Sequence, residues 1–194
     1  MTVDEYLERI EGLAEIARAE APDADRARRL GDKTVQAIVD AGLHRALLPP
    51  ALGGGGITWA ENFRLIEALA RVDGAASWNT SIWAGTAQLA VTLADEDASA
   101  EVLGDGSSLC SASLNWLNLS ARRVDGGYVI DGKATFLSGS SHAQWLSLGG
   151  WLYMKAFLPL ASSYNASLLY AIANLALLFA LLAYLHRRRL YLTV

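Results

Sequence analysis

Apolar side chains recur at helical spacing from the start of the chain. Leu7, Ile10, Leu13, Ala14 and Ala17 fall on one face of a segment running over residues 2–21, at the period expected of an amphipathic helix. Thr2 followed three residues later by Glu5 supplies a capping box at its start. A second helix is predicted over 25–41, with Leu30, Thr34, Ala37, Ile38 and Ala41 on one side and Gly42 just beyond its end. The next stretch, LLPPALGGGG at 47–56, has two prolines and four glycines that interrupt every period, so it reads as a loop. Thr58 and Glu61 form another capping box, opening a helix with Phe63, Ile66, Leu69 and Ala70 that stops near Val72, before Asp73 and Gly74. A mostly apolar helix over 75–93 and a short one over 96–103 complete a helical bundle spanning 1–104.

After Gly104 the period falls to two. Strands are predicted over 109–114, 119–124, 128–130 and 134–137. Asp125–Gly126–Gly127 is read as one hairpin turn and Asp131–Gly132 as a second, because Asp-Gly pairs readily take the positive φ angles of tight turns. Three or four short strands do not close a barrel, so residues 105–150 are expected to form an incomplete antiparallel β domain.

Charge divides the chain at Gly149–Gly150. Residues 1–150 carry 12 of the 16 Lys and Arg against all 20 acids, a net −8, whereas residues 151–194 hold Lys155, Arg187, Arg188 and Arg189 and no acid. The acidic part has no basic cluster to neutralise phosphates, which argues against nucleic-acid binding. The lone Cys110 excludes an intramolecular disulfide or a cysteine-rich metal site and is expected to be buried. No basic and then apolar leader opens the chain, so the front part is expected in the cytoplasm. Residues 156–185 contain no formal charge; within them 166–185, ASLLYAIANLALLFALLAYL, would span ~30 Å as a helix. Flanking tyrosines and Arg187–Arg189 fit interfacial positions. The fold expected is therefore α+β: a helical bundle at 1–104, a truncated antiparallel β domain at 105–150, and one transmembrane helix with a basic tail in 151–194. The positive-inside rule would put that basic tail in the cytoplasm and residues 1–150 outside, in conflict with the missing leader.

Residues 41–56, AGLHRALLPPALGGGG, and 121–148, ARRVDGGYVIDGKATFLSGSSHAQWLSL, resemble the acyl-CoA dehydrogenase superfamily, the form SGSSHAQW being closer to its reduced-flavin-dependent hydroxylase branch. The resemblance implies FAD or FMN held between a β domain and a C-terminal helical bundle. It implies that the strand at 109–114 passes along the flavin, with Ser111, Ala112 and Ser113 as hydrogen-bonding candidates, and that Phe136, Ser138 and Gly139 set an aromatic ring and a hydroxyl against the isoalloxazine. The dehydrogenases' Thr-Glu-Pro segment stands here as Ser113, Leu114 and Asn115, which argues against an acyl-CoA substrate. The family's catalytic carboxylate lies in the C-terminal bundle, so no catalytic residue is assigned, nor any metal site. Residues 151–194 resemble the last helix and basic tail of heparan-α-glucosaminide N-acetyltransferase-like membrane proteins.

These readings leave a flavin-dependent oxidoreductase fragment, inactive alone; a membrane-anchored assembly module that docks on an intact homologue; or a non-functional fusion product. Ser138 and Gly139 are also ordinary turn residues. His142 is weighed as an acid or base and as a structural group. Trp78, Trp83, Trp116 and Trp145 are assigned to the core or to subunit contacts.

Overall fold

The computed structural model describes residues 1–93, 96–104, 106–113, 119–148 and 172–173. The chain divides into Met1–Gly149 and Gly150–Val194. In the first unit the order is α1 (Val3–Ala27), α2 (Asp32–Asp40), two 3-10 turns (Leu43–Arg45 and Pro50–Leu52), α3 (Trp59–Val72), α4 (Gly74–Leu93), α5 (Glu96–Leu103), β1 (Cys110–Ser113), β2 (Leu119–Val124), β3 (Gly127–Gly132) and β4 (Trp145–Leu148).

Both capping boxes form. Thr2 and Glu5 open α1, and Thr58 and Glu61 open α3, each pair satisfying two backbone donors that a helix start leaves without partners. The first two helices depart from expectation at their junction. α1 runs through Pro22 to Ala27 and ends with Arg28 in the left-handed region at φ 54°. A proline inside a helix removes one hydrogen bond; here the alanine-rich flank, with Ala19, Ala21, Ala24 and Ala27, favours helix strongly enough to continue. The second helix accordingly starts at Asp32 rather than 25. Its N-cap, Gly31, has no side chain to offer. Glu20 does that work from α1: its carboxylate accepts from the Thr34 N–H at 2.8 Å, the Thr34 hydroxyl at 2.8 Å and the Lys33 N–H at 3.3 Å. Desolvation pushes the Glu20 carboxyl up, but those hydrogen bonds and the Lys33 charge outweigh it and hold the group below its ordinary range.

The core is built by Tyr6, Ile10 and Leu13 of α1, Ile38 of α2, Leu65 and Leu69 of α3, and Trp83 of α4, all at most 2 % exposed. The glycine run closes a turn at their edge. A side chain at Gly54 would collide with the Leu48 carbonyl, and one at Gly55 with the Tyr6 hydroxyl, so close backbone approach dictates glycine there. A second apolar cluster, Leu48, Ala87, Leu103 and Cys110 with Trp145 against it, joins α4 and α5 to β1 and β4. Cys110 is buried, and desolvation raises its thiol pKa.

The β region differs from the expected antiparallel domain. β1 pairs in parallel with β4, Cys110 opposite Trp145 and Ser113 opposite Leu148. β4 carries no signal in the local sequence pattern, because its partner lies 35 residues away, Cys110 opposite Trp145. β2 and β3 form a separate antiparallel hairpin closed by Asp125–Gly126, Gly126 having φ 79°. The second turn at Asp131–Gly132 does not form; both residues lie in β3, opposite Ser120 and Leu119, because the hairpin register extends that far. Nor is 134–137 a strand: Thr135 makes an isolated bridge and Phe136 turns to φ 58°.

Among the described residues no helix is long and apolar enough to cross a membrane. The expected span at 166–185 lies outside them except for Ile172 and Ala173, which are helical and exposed. Leu114, Asn115 and Trp116 also lie outside the described residues.

Candidate functional site

The segment 135–142 carries most of the residues expected to meet a cofactor, and it is fastened from two sides. On one side stands β1. Its two-residue alternation puts Ser111 and Ser113 on the same face, both almost fully buried. The Ser111 hydroxyl donates to the Ser138 carbonyl at 2.6 Å and the Ser113 hydroxyl donates to the Thr135 carbonyl at 2.7 Å. Each serine proton is thereby committed to the backbone of the facing segment, leaving only acceptor capacity at the oxygen. Ala112, between them, is half-buried.

On the other side stands α4. Trp78 Nε1 donates to Ser138 Oγ at 2.9 Å, and Trp83 Nε1 donates to the Gly139 carbonyl at 3.3 Å. Gly139 has φ 73°, and a side chain there would strike the Trp83 indole nitrogen; both the dihedral and the close approach call for glycine. His142 secures the far end. Its Nε2 donates to the Leu30 carbonyl at 3.1 Å, its Nδ1 lies 3.7 Å from the Asp32 carboxylate, and its ring meets Trp83 edge-on with centroids 6.5 Å apart. These contacts give it a structural role joining the turn to the α1–α2 junction. Gln144 completes the fastening: its side-chain oxygen accepts from the Leu109 N–H at 2.8 Å while its own N–H donates to the Leu109 carbonyl at 3.1 Å.

Of the five residues singled out in the sequence, Ser111, Ser138 and Gly139 are brought into one hydrogen-bonded unit. Ser113 joins it one strand pair further along. Phe136 stands apart with 83 % of its surface exposed. Its backbone lies at φ 58°, an uncommon conformation for a non-glycine residue. A cleft of ≈ 470 Å³ lies beside the turn, lined by Arg28, Arg29, Trp78, Asn79, Ser138–Ser141 and His142 among others.

Trp83 is core as expected, at 0 % exposed, but Trp78 is 60 % exposed and reaches the turn through its N–H. Periodicity gives no signal for these two contacts. Chemistry gives a weak one, since an indole N–H held against protein requires an acceptor.

Comparison with known proteins places these features in a family. The family description "Acyl-CoA dehydrogenase, N-terminal domain" matches residues 5–104. The oxygenase subunit HsaA of a flavin-dependent monooxygenase from Mycobacterium tuberculosis is 35 % identical over 142 residues, which is 73 % of this chain and 36 % of that protein. A pigment production hydroxylase from Rhodococcus sp. is 26 % identical over 159 residues, 82 % of this chain and 41 % of the relative. The crystal structure of the M. tuberculosis HsaA monooxygenase superposes with a TM-score of 0.64 at 32 % identity, covering 76 % of this chain and 39 % of that one. The chain thus spans well under half the length of these relatives. With the helical region matched over 5–104 and a monooxygenase 35 % identical over 142 residues, this chain belongs to the acyl-CoA dehydrogenase family.

Proposed function

We propose that this chain supplies the flavin-contacting strand and turn of a flavin-dependent monooxygenase that hydroxylates an aromatic substrate. One observation carries the reading: Phe136 is exposed at positive φ, two residues before a serine whose hydroxyl accepts from Trp78 of α4. A flavin pocket needs an apolar wall and a few fixed donors. Phe136 fits the wall, and Ser138 fits the donor, since its oxygen accepts from Trp78 and still holds its own proton. Support also comes from relatives whose names include an indole-3-acetate monooxygenase from Pseudomonas putida and an FADH(2)-dependent resorcinol hydroxylase from Rhizobium sp..

A bound reduced flavin would supply the reducing equivalents for inserting oxygen into the substrate. The residues of this chain do the rest of what can be assigned to it. Phe136 shields one side of the cofactor from water. Ser138 donates a hydrogen bond to its polar edge. Ser111 and Ser113 hold the segment that carries both, as positioning residues for the turn. Either FAD or FMN satisfies these requirements, and assembly with an intact homologue adds a second wall to the pocket.

Purified protein mixed with FAD or FMN, with and without an intact homologue, tests this by its visible spectrum after gel filtration. A flavin band that co-elutes, stronger with the homologue, is expected. Colourless, monodisperse protein under both conditions sinks the reading.

The uncharged run at 156–185 supports a second element of the proposal: residues 166–185 insert as one helix into the bilayer. Alkaline carbonate extraction of membranes separates the outcomes, because an inserted helix keeps the chain in the pellet and a peripheral one releases it.

A further inference from the structure

We propose that Trp78 is a positioning residue that aims the Ser138 hydroxyl at the flavin; this rests on the flavin reading above. An indole N–H is only a donor. In the 2.9 Å contact between Trp78 Nε1 and Ser138 Oγ the serine must therefore accept. That bond occupies one lone pair and holds the side chain in one of its three staggered rotamers, while the serine proton stays available for a ligand. Were the serine to turn and donate toward α4 instead, the indole would offer it no acceptor.

The two tryptophans of α4 act on neighbouring residues of the turn in different ways. Trp83 is 0 % exposed and belongs to the apolar core, so its contact with the Gly139 carbonyl accompanies packing. Trp78 is 60 % exposed and gains little from burial. Its contribution is the single bond to Ser138. Asn79, next to it, spends its amide on the Ala75 carbonyl of the same helix and does not compete for the serine. The Ser138 carbonyl is meanwhile held from β1 by Ser111. The backbone and the hydroxyl of one residue are thus fixed independently, the first by the sheet and the second by the helix.

The test uses the full chain and its Trp78→Phe, Trp78→His, Ser138→Ala and Trp78→Phe/Ser138→Ala variants. Affinity for FAD and FMN is read from flavin fluorescence, the bound-flavin absorption spectrum is recorded, and amide hydrogen exchange is followed over 137–142 and over α1–α3. Trp78→Phe and Ser138→Ala are each expected to weaken binding about tenfold, the scale of one hydrogen bond. They should shift the bound-flavin spectrum alike, and the double variant should lose no more than either alone, because the two residues act through one bond. Trp78→His, which keeps a ring N–H, should recover part of the loss. Exchange over 137–142 should quicken in Trp78→Phe with α1–α3 unchanged. Undiminished binding in Trp78→Phe, or losses that add in the double variant, overturns the positioning role. A wild-type chain that takes up no flavin, alone or with an intact homologue, overturns the flavin reading and this proposal with it, so the two failures are distinct. Should Trp78→Phe fail to fold, exchange over α1–α3 reveals it, and Trp78→His against Ser138→Ala then decides: equal losses in those two overturn the proposal.

Discussion

The helical region, Val3–Leu103, and the hairpin of β2 and β3 meet the demands of their backbones in opposite ways. Each helix satisfies its hydrogen bonds within itself and needs neighbours only to cover its apolar stripe. α1, α2, α3 and α4 cover one another around Tyr6, Leu65 and Trp83. A strand makes none of its ladder hydrogen bonds within itself and must take every partner from neighbouring strands. Among the described residues β2 and β3 pair only with each other, and most of their residues are exposed, including Tyr128 at 65 % and Ile130 at 52 %. The β1–β4 pair lies between these extremes, its face covered by α4 and α5 through Leu103, Cys110 and Trp145. Strands are secure here to the extent that helices cover them.

The strongest way to break this contrast is at Trp83, which belongs to both sides. Trp83→Ala should cost about 3–5 kcal/mol in urea melts, as for other large aromatic truncations in cores. It should also speed hydrogen exchange at 137–142, since the Gly139 carbonyl loses its donor. Gly139→Ala comes next. Left-handed backbone and the collision with the Trp83 indole together predict a loss of about 2–4 kcal/mol. Thermal melts combined with exchange over α1–α3 would show whether the loss stays confined to the turn.

Glu20→Gln is smaller, about 1 kcal/mol, because it weakens a helix cap. Its pH dependence has a definite sign. The folded carboxyl titrates below its unfolded value, so the stabilisation is fully present above the unfolded pKa and disappears as pH falls through the folded one. The wild-type advantage over Glu20→Gln should therefore be seen at pH 7 and vanish in strong acid. A pH-independent difference would show that the carboxylate charge is not what caps α2. The smallest effect is expected in the hairpin. Ile130→Ser should change global stability by less than about 0.5 kcal/mol, as at other exposed positions, and limited trypsin digestion should cut at Arg122, Arg123 or Lys133 before any site in α3.

What could be read from the sequence follows the same division. The capping boxes at Thr2–Glu5 and Thr58–Glu61 use partners three residues apart, so inspection finds them. The start of α2 was misplaced because its cap, Glu20, comes from another helix. β4 and its parallel pairing were invisible because the partner of Trp145 is Cys110. Asp131–Gly132 carried a turn signal that the hairpin register overrode. In the site, resemblance pointed to Ser111, Ser138 and Gly139, and the structure joins them. It could not show that the protons of Ser111 and Ser113 are spent on carbonyls, or that two indoles reach the turn, because those facts depend on how separate elements pack.

The parallel pair imposes an order of assembly. Cys110 cannot find its neighbour until residues beyond the whole β2–β3 hairpin have been synthesised, and closing so long a connection is entropically costly. The helices pack among residues that all precede β1, so they need not wait for the later strands and present α4 first. On the ribosome, then, the α4 side of the cradle exists before the Ser138 turn has been made, and a nascent chain halted at Asp131 would display Trp78 and Trp83 with nothing yet for their N–H groups to hold.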